Sequence, residues 1–487
     1  MTDTKPGKTL TLKKKPATAD SAPAGDGERR KRSGARARQV EQLEREREKQ
    51  RQALAPAPAA RPEASSAPAE APPRRTGKPR SASPAPIAAR QPLDQPSYER
   101  DQYAPKIERT DRRRPRQAAR AELFPIFAPC PHGLEEALAA EMQALGFDDA
   151  QPARAGCRFH ADWTGVLRAN LYSRLATRIL VQVAHGPVRH EDDILELAQD
   201  TPWERWFGAE QTLRVDTSAI RSPMQSLQYC NLRAKDGICD RLRDLEGERP
   251  SIDTVRPDAR VHLFLDEDSA TLYLDTSGES LFKRGWRLEK GEAPLRENLA
   301  AGLLALSGWD PSQALMDPFC GSGTILIEAA WIALGVPAGI WRPFGFERLR
   351  DHNARHWRDI KDEARSHIAT QLESPIVGYD LDPRAIEAAT ANLERAWLTP
   401  DSIRFEIGDA REVAAAADTG WLVSNPPYGE RLPGDDEGLW RDWSQNLKRN
   451  YSGWHINIIS SDLDLPKQMR LKPLRRYPLH NGGLDCR

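Results

Sequence analysis

The sequence predicts an α/β fold: a doubly wound, mostly parallel sheet preceded by an α+β module and a basic N-terminal tail. Three observations carry this. Charge and aromatic content change abruptly near residue 120. Strand-like and helix-like stretches then mix without strict order to about residue 285. From Glu292 onward, short apolar strands alternate with helices, the pattern of parallel strands joined by crossover helices.

The tail comes first. Net charge over the 487 residues is zero, yet residues 1–120 hold 29 basic and 15 acidic side chains, and the remaining 367 hold 42 and 56. Sixteen of the 39 prolines lie in residues 1–120, whereas all 13 tryptophans and all 11 phenylalanines lie beyond them. Two tyrosines, Tyr98 and Tyr103, are the aromatic content of this stretch. Such a composition buries too little surface to offset its ordering entropy, so residues 1–120 are predicted to be disordered, with a transient charged helix over Gln39–Gln52.

Order is expected from Leu123. LFPIFAPCPHGLEEALAAEMQALGF reads as a strand, a Pro/Gly turn and an amphipathic helix with Leu134, Leu138 and Met142 on one face. RFHAD, RILVQVA, QTLRVDTSA, RVHLFLDED and ATLYLDTS read as strands. TGVLRANLYSRL, DDILELAQ and SLQYCNLRAKDGICDRL read as helices. Residues 121–287 are therefore taken as one α+β module and 288–487 as the α/β domain. In the latter, SQALMD, SPIVGYD, SIRFEIGD, WLVSNPPYG and WHINIISSD are strands. GTILIEAAWIALG, PRAIEAATANLERAWL and LWRDWSQNLKRN are the helices between them.

Composition also excludes classes. Cys130, Cys157, Cys230, Cys239, Cys320 and Cys486 form no C-x-x-C pair and no disulfide framework. The ten histidines show no metal-ligand spacing, so no metal is predicted. No apolar run approaches the roughly 20 residues that span a bilayer, and no secretory signal opens the chain. A cytoplasmic protein without a membrane partner is expected.

Four strand ends carry chemistry. The first is Asp317-Pro318-Phe319-Cys320-Gly321-Ser322-Gly323-Thr324, between an apolar strand and an apolar helix. Its glycines let backbone approach a ligand, and the helix N-terminus offers free N–H groups. It is neither the dinucleotide fingerprint nor a phosphate loop, and alone it also fits a tight strand-to-helix turn. The second is Asp380, whose carboxylate at a strand end suits two ribose hydroxyls. A helix cap is its plainer role, but Asp382 before Pro383 serves that better. The third, Asp409, suits an adenine amine or, equally, a turn. The fourth is Asn425-Pro426-Pro427-Tyr428. Two prolines stiffen the loop and remove two donors, leaving the Asn425 oxygen and the Pro426 carbonyl as acceptors and the Tyr428 ring to stack on a flat base. A site of that kind accepts two hydrogen bonds from an exocyclic amine.

In this order the four motifs resemble a class I S-adenosylmethionine-dependent methyltransferase with its Rossmann-like sheet, and N-P-P-Y is similar to the signature of amine methylators. Ala293–Ala301 resembles the helix before the first strand in RNA-specific members. Residues 123–287, ending in Leu281-Phe282-Lys283-Arg284-Gly285-Trp286-Arg287, resemble the ferredoxin-like plus THUMP module of RNA-modifying enzymes. With the insertion Pro337–Ala364, residues 123–487 resemble the bacterial 23S rRNA guanine-N2 methyltransferase family.

That resemblance implies S-adenosylmethionine as cofactor. Asp317, Phe319, Gly321 and Gly323 would flank its methionine part, Asp380 its ribose and Asp409 its adenine. Asn425, Pro426 and Tyr428 would hold the target amine as the catalytic set. It implies RNA as partner, 23S rRNA or a large-subunit precursor, gripped by a monomer, with Lys283, Arg284 and Arg287 as phosphate contacts or else a solvated linker. The basic tail, outside the match, is expected to raise RNA affinity through phosphates. Cys320 is read as a small residue packed by the cofactor loop and not as a nucleophile. The nearest rival is a tRNA guanine-N2 methyltransferase, and the rival from another class is a non-catalytic RNA-binding assembly factor. N-P-P-Y also occurs in methylators of DNA adenine and of protein glutamine. Many larger relatives carry a second methyltransferase domain that this sequence lacks. The chain stops at Asn481–Arg487, where the family's last strand usually continues.

Overall fold

Alternation of buried and half-buried side chains makes β1 of Phe124–Pro129, with Phe124, Ile126 and Ala128 facing inward. The computed structural model describes residues 122–287, 295–427 and 436–487. The expectations for residues 1–120, including the Gln39–Gln52 helix, lie outside them. After β1 come α1 (Glu135–Ala144), β2 (Gln151–Ala153), β3 (Gly156–Ala161) and α2 (Trp163–Tyr172). Leu134, Leu138 and Met142 are fully buried, as their spacing predicts. The Asp162 carboxylate caps α2 by accepting from the Gly165 N–H at 2.6 Å. β4 (Leu180–Pro187), α3 (Glu191–Asp200), β5 (Leu213–Ala219), α4 (Leu227–Glu246), β6 (Ala259–Leu265) and β7 (Ser269–Asp275) complete this part.

These strands form one seven-stranded sheet in the order β2-β3-β1-β4-β7-β6-β5. All neighbours are antiparallel except β5 and β6. β4 is the seam: its first residues pair with Ile126 and Phe127 of β1, and from Leu180 to Pro187 it runs against β7.

The second sheet follows α5 (Glu297–Ser307). It contains β8 (Leu315–Asp317), β9 (Ile376–Asp380), β10 (Arg404–Ile407), β11 (Gly420–Ser424) and β12 (Trp454–Ile458). The order is β10-β9-β8-β11-β12, with every pair parallel. The helices are α6 (Thr324–Ala333), α7 (Ala354–Ser366), α8 (Pro383–Arg395), α9 (Asp436–Asn450) and the short α10 (Leu465–Gln468). Asp382 does cap α8, accepting from the Arg384 N–H at 3.0 Å with Pro383 at the first helical position. From β8 the chain builds outward to β9 and β10, then returns to lay β11 on the other side of β8. The strand order therefore reverses at β8, where open α/β sheets bind ligands beyond their strand C-termini. The chain closes with a hairpin, β13 (Leu479–Asn481) and β14 (Leu484–Cys486), which forms a separate two-stranded sheet. Among the described residues no helix is long and apolar enough to cross a membrane.

The insertion after α6 acts as a clasp between the two sheets. Phe344 stacks on Phe346 with centroids 5.2 Å apart, and Trp357 meets Phe346 edge-on at 5.0 Å. The buried Arg342 guanidinium donates to the carbonyls of Ser277, Glu279 and Ser280 just after β7. Arg350 pairs with both Glu210 and Glu246.

A buried charge cluster completes the joint. Arg284 is 1% exposed. It donates to Glu328 of α6 at 3.1 Å, to the Leu281 carbonyl at 2.8 Å and to the Arg174 carbonyl at 2.6 Å. Arg174 lies 3.7 Å from the other Glu328 oxygen. Arg287 is also sequestered, against Glu297 and the Leu295 carbonyl. This corrects the expectation that Arg284 and Arg287 touch phosphate: their guanidinium groups are enclosed by protein partners. Of the three, Lys283 presents its charge to solvent, beside Glu279 at 3.0 Å.

Removing one partner of a buried pair leaves an uncompensated charge, at about 3–5 kcal/mol. Glu328→Gln should therefore lower unfolding stability by roughly that amount, read as a drop in the urea midpoint. A midpoint within error of wild type would mean the cluster does not hold the two sheets together.

Candidate active site

The parallel register places the C-terminal ends of β8, β9 and β11 side by side, because Leu315 pairs with both Ile376 and Trp421. Asp317, Asp380 and Asn425 leave these three adjacent ends. Asp317 is buried, and its Oδ1 accepts from the Ser424 hydroxyl at 2.6 Å and the Phe319 N–H at 3.0 Å. Burial pushes its carboxyl up to about 7, with Asp380 nearby adding to the rise.

Asp380 lies on the open side of the loop. Its Oδ2 accepts from the Gly321 N–H at 2.9 Å and its Oδ1 from the Asp382 N–H at 3.0 Å. These bonds orient the carboxylate while each oxygen keeps a further lone pair. Gly321 sits at φ +53° with open space where a Cβ would project. Gly323 is constrained more tightly: at φ +77° it opens α6, and a Cβ would stand 2.8 Å from the Phe405 ring. One glycine thus exposes backbone, and the other lets α6 close on the neighbouring strand.

Phe319 packs edge-on against Trp443 at 4.9 Å, which ties the loop to α9. Cys320 is buried, and burial, helped by Asp317 and Asp380, raises its thiol well above the ordinary range. A thiol held neutral in this way is a poor nucleophile.

Asn425 follows β11, and its Oδ1 is buried without a hydrogen-bond partner among the described residues. An orphaned buried acceptor is costly and points to a donor from a ligand. Pro426 beside it is buried. Tyr428 lies outside the described residues. Asp409 follows β10, and both its oxygens accept from the Arg411 guanidinium at 2.5–2.9 Å. Those hydrogen bonds hold its carboxyl below the usual range. An adenine amine at Asp409 would therefore compete with Arg411.

Three positioning residues escaped the sequence reading. Ser424 adjoins Asn425, yet its bond to Asp317 spans 107 residues and depends on β8 and β11 being neighbours. Phe405 gives Gly323 its steric reason. Asn446 donates to the carbonyls of Ala410 and Val413, each at 2.9 Å, and so holds the segment after Asp409.

Residues 284–487 match the RMKL-like methyltransferase domain, 125–180 the RlmL ferredoxin-like domain and 188–275 the THUMP domain. The "Ribosomal RNA large subunit methyltransferase K/L" of Syntrophotalea carbinolica is 39% identical over 375 residues, covering 74% of this chain and 52% of the relative. The chain thus spans about half the length of the curated relatives it matches. A solved structure described as a possible methylase from Clostridium difficile 630 is 30% identical with TM-score 0.69, covering 75% of this chain and 97% of that one. SMU.472, solved in complex with SAH, is 27% identical with TM-score 0.69 over 75% of this chain and 97% of that one.

The raised Asp317 carboxyl has a consequence for stability. Between its ordinary value of 3.8 and about 7 the folded state holds a proton that the unfolded state has released. Stability therefore falls as pH rises through that window. Asp317→Asn, which keeps an acceptor for Ser424, should flatten the slope. Urea midpoints at pH 5 and pH 8 test this: a wild type and variant with equal pH dependence would show that Asp317 is ionised throughout.

Proposed function

The chain belongs to the family that joins RlmL ferredoxin-like and THUMP domains to an RMKL-like methyltransferase domain, and from that premise we propose that it transfers a methyl group from S-adenosylmethionine to the 2-amino group of a guanine in 23S rRNA. The observation that carries the reading is the orphaned Asn425 Oδ1 beside the Pro426 carbonyl, at the strand end next to the glycine loop.

The cradle suits the cofactor. Gly321 leaves backbone facing open space, and Asp380 has a fixed carboxylate with acceptor capacity left for ribose hydroxyls. Asp317, Phe319, Gly321 and Gly323 would flank the methionine part, and Asp409 would meet the adenine in competition with Arg411. S-adenosylmethionine supplies a methyl made electrophilic by its sulfonium.

The protein's part is to position and solvate. A guanine 2-amino group is a weak nucleophile because its lone pair is conjugated with the ring. The Asn425 oxygen and the Pro426 carbonyl accept its two hydrogens and draw the nitrogen toward tetrahedral geometry, which frees the lone pair for in-line attack. Tyr428 would stack on the base. The ammonium formed loses its proton readily, so no strong base is required beforehand. The base must leave its stack to enter. The THUMP-containing module suits recognition of folded RNA by shape and phosphate. Support for the ribosomal substrate comes from the match to ribosomal RNA methyltransferases over 74% of the chain.

Asn425→Ala should abolish methyl transfer while cofactor binding, read by calorimetry, persists. Asp380→Ala should weaken S-adenosylmethionine binding at least tenfold, since each lost charge-assisted hydrogen bond contributes about 1.5–3 kcal/mol. Deleting the gene should remove one N2-methylguanine from large-subunit rRNA. A deletion strain that keeps them all and loses one from tRNA would move the substrate to tRNA, and substantial turnover by Asn425→Ala would remove the mechanism.

A further inference from the structure

In an antiparallel sheet packed on one face, residues that point the other way are ordinarily polar and solvated. The seven-stranded sheet departs from that pattern in one place. Phe127 pairs with Arg158 of β3 and with Leu180 of β4, Arg158 pairs with Gln151 of β2, and Gln182 pairs with Tyr273 of β7. Residues opposite one another in a ladder share a face, as do residues two apart along a strand. Phe127, Arg158, Gln151, Gln182 and Tyr273 therefore stand on one face, contributed by five strands. Ile126, Phe159 and Val181 point the other way, into the core with Leu138 and Met142 of α1.

The five side chains line a cleft of about 250 Å³. The Phe127 and Tyr273 rings have centroids 6.1 Å apart and planes inclined at 42°. Phe127 is half-buried and Tyr273 is 8% exposed. Burial raises the Tyr273 phenol above its ordinary value and the Arg158 charge opposes that rise, so the cation stands near this ring. Arg158 is exposed and makes no ion pair or side-chain hydrogen bond among the described residues. The Gln151 and Gln182 amides likewise make no hydrogen bond among them. The carboxylate that lines the cleft, Asp149, is taken up by His160: it accepts from the His160 N–H at 3.1 Å and meets a ring nitrogen at 2.7 Å.

This is the chemistry that holds an unpaired base. Aromatic rings take a base by stacking, amides without partners pair with its edge, and a free cation at the rim meets the adjoining phosphate. The cleft is smaller than the roughly 300–1,000 Å³ of drug-sized ligand sites, which suits one flat ring system. A duplex would keep its bases stacked inside and out of reach of the two rings.

We propose that this cleft, beside the β4 seam where the two N-terminal domains share a sheet, binds one unpaired RNA base stacked on Phe127 and Tyr273, with Arg158 on its phosphate. The proposal rests on the RNA methyltransferase reading above. It adds a base-binding site on a different sheet from Asp317, Asp380 and Asn425, and so a means of selecting which RNA is presented to them.

The test uses the full chain and transcribed 23S rRNA. Wild type, Phe127→Leu, Phe127→Tyr and Arg158→Gln are compared for RNA affinity across a salt series, for methyl transfer and for S-adenosylmethionine binding by calorimetry. Loss of one stacking ring should weaken RNA binding about tenfold in Phe127→Leu, with the salt slope unchanged, whereas Phe127→Tyr keeps the ring and the affinity. Arg158→Gln should make the slope of log affinity against log salt shallower by about 0.7, the share of one phosphate on a single strand. Cofactor affinity and kcat should stay at wild-type values while KM for RNA rises in Phe127→Leu and Arg158→Gln. A photoreactive benzophenone side chain in place of Gln151 should cross-link to the RNA. Wild-type affinity in Phe127→Leu, beside a wild type that methylates the RNA, overturns the cleft assignment alone. Equal losses in Phe127→Leu and Phe127→Tyr would make Phe127 a packing residue and overturn it too. Cross-links confined to residues 1–120 or to a second copy of the chain would give the cleft to a protein segment, with the same result. Should Phe127→Leu lose cofactor binding through misfolding, the exposed Arg158 decides, and a wild-type slope in Arg158→Gln overturns the assignment. A wild type that binds cofactor and methylates no RNA overturns it together with the reading it rests on.

Discussion

Glu328 lies on α6, one turn beyond Gly323 and the glycine loop, and it is enclosed by two arginines from the N-terminal part of the chain. Charges this deeply buried are tolerated only where partners and carbonyls replace water. Arg284 finds Glu328 and two backbone carbonyls, and Arg174 adds its own guanidinium and carbonyl oxygen to the same knot. These contacts fix how the chain segments around Arg174 and Arg284 sit against α6. The helix that opens at the ligand-facing loop is thus tied to the module before it, and Arg342 repeats the device from the insertion by gathering carbonyls that follow β7.

A second constraint operates within the site itself. Two carboxylates at neighbouring strand ends repel each other unless their surroundings differ. Asp317 is sealed beneath the loop and has its carboxyl raised to about 7, so it holds a proton over much of the mildly acidic range. Asp380 is half-exposed and accepts two backbone N–H groups that orient it. One residue type therefore does two jobs: Asp317 braces β8 against β11 through Ser424, and Asp380 is held by two backbone N–H groups at the neighbouring strand end. The same logic explains the inert Cys320, since two nearby carboxylates and full burial oppose a thiolate.

Charge is distributed over the surface with similar economy. Arginines in the antiparallel part are largely matched by carboxylates across strands and helices, and such exposed pairs add little stability individually. They do cancel the local field. Arg470, Lys472 and Arg476, exposed and without an ion pair among the described residues, leave their field in solvent.

Much of this was legible from local pattern. Alternation in Phe124–Pro129, the helical stripe through Leu138 and Met142, the cap at Asp382 with Pro383, and the four strand-end motifs all follow from contacts within a few residues. Strand ends were less legible: the predicted WLVSNPPYG strand stops at Ser424, because two successive prolines cannot supply ladder N–H groups. What tertiary structure alone decided is which distant groups meet. The Lys283–Arg287 run reads as a basic linker, yet Arg284 is enclosed because its partners lie 44 and 110 residues away. The single sheet shared across β4, the brace from Ser424 to Asp317 and the aromatic reason for Gly323 are of the same kind. Sequence alone determines the periodicities and turn chemistry that make each strand and helix, since those depend on neighbours in the chain. Burial, ionisation and pairing depend on what the rest of the chain brings within a few ångströms, so only the folded sheet-on-helix arrangement could assign them.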